Sequence, residues 1–142
     1  MYATLPELKE SMSERILIQL SNDDARATTC NEQVLMTALE LASERIDASL
    51  RSRYVLPLKD KPSMLNFYCL NLARFWLYSR RAEIKMPETV DKLQKQTLDE
   101  LSQIANGKLH LGVTEKKEQD DSLKGVAAYK VLGSKSILTE GY

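Results

Sequence analysis

The four prolines of the chain stand at positions 6, 57, 62 and 87, and the stretches between them repeat apolar residues every three or four positions. Proline lacks the amide donor that a helix interior needs and is tolerated only in the first turn or beyond the end. This placement therefore predicts helices bounded by the prolines, and the fold class that follows is all-α. The expected architecture is a small helical bundle of two short N-terminal helices and three longer ones. Thr4 is placed to cap a first helix with Pro6 in its opening turn, and Ser13 to cap a second carrying Ile16, Leu17 and Leu20. Residues 21–29 have no apolar period and are rich in turn formers, which predicts a loop.

From Asn31 to about Arg53, the residues Val34, Leu35, Ala38, Leu39, Ala42, Ile46, Ser49 and Leu50 share one face of the longest expected helix. Tyr54-Val55-Leu56-Pro57-Leu58 should leave it as an extended, apolar exit, because proline disfavours helix in the residue before it. After Pro62, Leu65, Tyr68, Cys69, Leu72, Ala73, Phe75 and Trp76 cover an arc too wide for one neighbour, which predicts a central helix. Val90, Leu93, Leu98, Leu101 and Ile104 mark the last long helix, and Asn106-Gly107 supplies its end. The chain thus divides into a helical domain over 1–107 and a flexible C-terminal arm over 108–142. The arm holds a charged run at 115–121 and a strand-prone stretch at 126–132. Fully extended it reaches on the order of 115 Å at ~3.3 Å per residue, far enough to dock on a neighbour. Val126, Tyr129, Val131 and Leu132 are its expected anchors, since desolvated aromatic and aliphatic side chains give the most contact energy.

Chemistry has little foothold in this sequence. Twenty basic and twenty acidic residues cancel, so no overall field draws the chain to nucleic acid or to an anionic membrane. The uncharged stretch 62–73 is shorter than the ~18 residues that suggest a membrane span. The N-terminus lacks a basic start and apolar stretch, so a cytoplasmic protein with Cys30 and Cys69 unpaired is expected. A single histidine, His110, assembles neither a triad nor a two-histidine metal site. Asn22-Asp23-Asp24 lacks the spacing of a calcium loop, and Gly133-Ser134-Lys135 lacks the upstream glycines of a phosphate loop. Glu40 and Glu44, one turn apart beside Arg45, read as solvated acids. Phe75, Trp76 and Tyr78 read as core rather than as a stacking platform for bases. No catalytic, cofactor or metal residues are assigned, and the chain is expected not to be an enzyme. One local asymmetry stands out, because residues 59–86 carry a net charge of +4. Arg80 and Arg81 complement the negative pole of the helix they end. With Arg74 they are candidates to line a DNA channel or to meet an acidic partner, and reversing the charge of Arg80 and Arg81 is expected to leave the fold intact.

The order Ala38-Leu39, Ala42-Ser43, Ile46-Asp47, Leu50, Arg53-Tyr54-Val55-Leu56-Pro57-Leu58, then Pro62, Leu65, Cys69, Leu72-Ala73-Arg74-Phe75 and Leu77-Tyr78, resembles a known family. The chain looks like the small Mu-like phage and prophage protein encoded in the head–tail joining region. Met1-Tyr2-Ala3-Thr4 and the later Leu101, Ile104, Gly107 and Leu111-Gly112 extend the likeness over residues 1–112. That family is similar to the helical head–tail connector, or head-completion, proteins of long-tailed phages. The resemblance implies a structural adaptor, with residues 1–107 as the connector domain, forming a dodecameric ring between the portal protein and a tail-joining protein. Nonspecific contact with DNA in the channel would follow, with assembly in the host cytoplasm and residence in the virion neck, without membrane or cofactor. The alternative is a small helical nucleic-acid-binding regulator. A helix-turn-helix needs a tight turn that often contains glycine, whereas Leu56-Pro57-Leu58 intervenes here and the first glycine is Gly107.

Overall fold

The computed structural model describes residues 1–115, and over these the chain is α1 (Leu5–Glu10), α2 (Glu14–Ser21), α3 (Glu32–Leu50), α4 (Ser63–Ser79) and α5 (Glu88–Ala105), with no strand among the described residues. The expected all-α class and the five helices are observed. Thr4 caps α1 in a reciprocal box. Its hydroxyl accepts from the Glu7 amide at 3.3 Å, and the Glu7 carboxylate accepts from the Thr4 amide at 2.8 Å. That second bond holds the exposed Glu7 carboxyl below its ordinary pKa. Ser13 caps α2 and Asn31 caps α3, each accepting from an amide in the first turn. The third helix stops at Leu50, three residues before the expected Arg53, and the chain turns through residues 51–53 into the exit segment.

The core forms where α3, α4 and α5 meet. Leu35, Leu39, Ile46 and Leu50 of α3, Leu65 and Leu77 of α4, and Leu101 and Ile104 of α5 are all buried. Removing one such side chain from water stabilises the fold by about 1.5–3 kcal/mol before chain entropy is subtracted. As the wide apolar arc of its sequence requires, α4 packs against all four other helices. Tyr54 and Leu58 of the exit are buried, so this segment is pinned to the core as expected. Three polar links register the layers. Asn71 Nδ2 donates to Thr97 Oγ1 at 3.0 Å in the buried α4–α5 seam, Tyr68 donates to Glu100 at 2.6 Å, and Ser43 Oγ lies 3.6 Å from Cys69 Sγ between α3 and α4. Burial, then the Glu100 carboxylate, raises the Tyr68 pKa well above the usual phenol value. Cys30 and Cys69 are both free, and burial raises the pKa of the Cys69 thiol.

The end of α5 is built around an arginine that sequence reading passed over. Arg53 Nε donates to the Ala105 carbonyl at 3.3 Å, meeting an acceptor that the helix end leaves open. Gly107 follows with φ +84, and a Cβ there would stand 2.6 Å from the Arg53 guanidinium. Residues 108–115, which the sequence reading assigned to the arm, run back along the body. Leu111 is buried, its amide donates to the Tyr54 hydroxyl at 3.1 Å, and Leu109 and Val113 pack on the core. His110 is exposed and lies 3.2 Å from Glu115, which also faces Arg53 at 3.7 Å. The anchors expected at Val126, Tyr129, Val131 and Leu132 lie outside the described residues.

Gly107→Ala is expected to destabilise the protein by about 1–3 kcal/mol through its left-handed backbone, with the displaced Arg53 adding to that. Gly112→Ala, at φ +85 with nothing within 4 Å, meets only the backbone term. Urea unfolding should therefore show a larger midpoint loss at 107 than at 112; equal losses would mean that the Arg53 contact is without weight.

Candidate interaction site at the end of α4

The three arginines singled out in the sequence all lie in the second half of α4 or just after it, but they do different things. Arg80 caps α4, where its Nη1 donates to the Leu20 carbonyl, its Nη2 reaches Asp23 at 3.4 Å, and its guanidinium lies 5.7 Å from the Trp76 ring centroid. Arg81 Nη2 donates to the Asn22 carbonyl at 2.9 Å and to Asp23 at 2.5 Å. Leu20 and Asn22 sit at the C-terminal end of α2, where carbonyls lack intrahelical partners and the helix dipole is negative. The pair was expected to answer the negative pole of its own helix. Its side chains instead serve the pole of α2, sixty residues earlier in the chain, and hold the loop after it.

That loop is tied internally as well. Asn22 Nδ2 donates to the Thr29 carbonyl at 3.2 Å, and the Asp24 carboxylate accepts from the Arg26 amide at 2.9 Å. The acids that hinted at a cation site thus close the turn and hold arginines. Against the loop lies an open recess of about 730 Å³, bordered by acids Glu14, Asp24 and Glu83 and floored by Ile18 and Ile84. The buried Arg81 Nε beside it has no hydrogen-bond partner among the described residues.

Arg74 is placed differently. It lies six residues before Arg80 and half-buried, and its Nη2 donates to Asn71 Oδ1 at 2.6 Å. Burial lowers its pKa. It makes no ion pair among the described residues, in contrast to Arg53, Arg80 and Arg81. Its side chain borders a second recess of about 310 Å³ with Tyr78 and the start of α5. Sequence reading had placed Tyr78 in the core, and Tyr78 is indeed only 8% exposed. The sequence signal for this pairing is the spacing of Arg74 and Tyr78, four apart and hence adjacent on one helix face.

Glu40 and Glu44 are exposed on α3, as expected for solvated acids. Among the described residues no helix is long and apolar enough to cross a membrane.

Fold and site together define a small all-α protein that clamps its own helix ends with arginines and has a recess lined by Arg74 beside α4. The family follows from the sequence. The chain belongs to the family described as Bacteriophage Mu, Gp36, whose model matches residues 2–129. It is 32% identical over 120 residues to the Mu-like prophage FluMu protein gp36 of Haemophilus influenzae, covering 82% of each chain. It is 31% identical over 112 residues to gene product J of Escherichia phage Mu, covering 79% of this chain and 77% of that one.

The expectation that Arg80 and Arg81 tolerate charge reversal with the fold intact conflicts with these contacts. Arg81→Glu would set a carboxylate against Asp23 and the Asn22 carbonyl. A loss of about 2–3 kcal/mol is expected from the charge-assisted bonds alone, against a smaller loss of about 1.5 kcal/mol for Arg74→Gln, which removes one such bond, to Asn71, and no ion pair. Chemical denaturation of both variants checks this, and equal stability of the two would remove the clamp.

Proposed function

We propose that this member of the Mu Gp36 family is a structural head–tail connector: a non-enzymatic adaptor that forms a ring, of twelve copies by its resemblance, between the portal protein and a tail-joining protein. Assembly takes place in the host cytoplasm and the finished ring sits in the virion neck, around the channel through which DNA leaves. The observation that carries this reading is membership of a phage family by a body whose polar side chains are largely engaged in holding its own helices. A ring subunit must present two different surfaces to its two neighbours, a contact that closes by rotation. Rigid helices with apolar residues left outside suit that task, and Leu41 and Phe67, 42% and 46% exposed, lie on the outer faces of α3 and α4.

The regulator reading is less well supported. Its one argument was the basic segment 59–86, yet Arg80 and Arg81 in that segment are committed to α2 and its loop. What remains for phosphate contact around the channel is a thin, nonspecific set of cations that includes Lys59 and Lys85.

Electron microscopy of the chain mixed with its cognate portal tests the proposal. A ring of added density on the portal is expected. The double variant Leu41→Glu/Phe67→Glu should keep its helix content and lose that density. A portal left bare by the native chain, together with tight duplex binding that falls steeply with salt, would replace the connector by the regulator.

A further inference from the structure

The recess beside α4 differs in composition from the larger, acid-bordered one against the α2 loop. Its polar lining consists of Arg74 and the hydroxyl residues Ser11, Ser13, Tyr78 and Thr89, and no acid lines it. Met12, Ile16, Val90 and Leu93 supply apolar walls. Apart from the neutral Asn71 amide, the half-buried Arg74 guanidinium has no partner among the described residues, and a charge withdrawn from water without a counter-ion is costly. The other arginines held against the body, Arg53, Arg80 and Arg81, each face a carboxylate. A second donor is equally open. Tyr78 is more than nine-tenths buried, and its hydroxyl has no hydrogen-bond partner among the described residues. Arg74 and Tyr78 stand one turn apart on α4, so their polar ends can converge on one ligand.

We propose that this recess is a receptor for one carboxylate side chain of a partner protein, with Arg74 as counter-ion and Tyr78 as the second hydrogen-bond donor. The guanidinium fork matches a carboxylate in two parallel bonds, and the phenol O–H donates to the same group. The apolar walls select the source. Met12, Ile16, Val90 and Leu93 would desolvate the aliphatic stem of an acidic side chain and an apolar neighbour beside it, and give a hydrated phosphate nothing. At about 310 Å³ the recess admits side chains and not a folded element. The assignment requires only an acidic protein ligand and does not rest on the connector reading.

The test uses the full chain labelled with ¹⁵N and the probe N-acetyl-aspartyl-leucinamide, with its asparaginyl counterpart and inorganic phosphate as comparisons. The aspartyl probe is expected to shift the Arg74 side-chain Nε–H resonance and the amides of residues 89 and 90 saturably, and the asparaginyl probe to leave them in place. Arg74→Gln should weaken binding at least about tenfold, as loss of charge-assisted hydrogen bonds implies, and Tyr78→Phe should weaken it less while the remaining spectrum stays dispersed. Equal response to the two peptides, no saturable shift, or unchanged binding by Arg74→Gln would overturn the proposal. Phosphate reproducing the same shifts at equal concentration would overturn the carboxylate assignment. None of these results bears on whether a ring forms on the portal, so the two proposals fail separately.

Discussion

The apolar surface of α4 is the constraint on which the rest of this protein depends. A helix with one wet face can rest on a single neighbour, but Leu65, Tyr68, Cys69, Leu72, Ala73 and Leu77 leave α4 too little wet surface for that. Long helices must flank it, and α3 and α5 do so. The short α1 and α2 close what those two leave open. The buried Asn71–Thr97 bond then sets how α5 lies along α4, because a slip would leave two buried polar groups without partners.

Around that interior the helix ends are joined by arginines acting at a distance in sequence. Arg53 reaches the end of α5, and Arg80 and Arg81 reach the end of α2. Each supplies donors and positive charge where carbonyls are orphaned and the dipole is negative, which is favourable on both counts. The arrangement also changes what the molecule offers to partners. Arg80 and Arg81, which look like part of a basic patch in the sequence, are turned onto α2 and its loop, and Arg74, half-buried and in no ion pair among the described residues, opens on a recess.

Most of the body was legible in the sequence because its signals are local. Thr4, Ser13 and Asn31 announce helix starts by their own side chains, Pro62 and Pro87 fix two more, and the three- and four-residue period of α3 and α5 names their inward faces. What was not legible depends on partners far away in the chain. Arg80 and Arg81 read as caps for their own helix, since nothing local says that Leu20 and Asn22 lie against them. The packing of Leu109, Leu111 and Val113 was missed for the same reason, because a short stretch after a glycine carries no period and its place is set by Tyr54 and Arg53. The recess was half legible. Arg74 was singled out by its charge, while Tyr78 was absorbed into an aromatic cluster and its unpartnered hydroxyl could not be foreseen.

If α4 is the element on which the others depend, it is the last to open. Native-state hydrogen exchange of the full chain measures this directly, since amides that exchange only through global unfolding report the full stability and those in locally opening regions report less. The expected result is that the amides from Leu65 to Leu77 are the slowest in the molecule and share one opening free energy equal to that from denaturant unfolding, with α1, α2 and residues 108–115 opening earlier. Amides of α4 that exchange through a smaller opening, while α3 and α5 remain protected, would contradict the account.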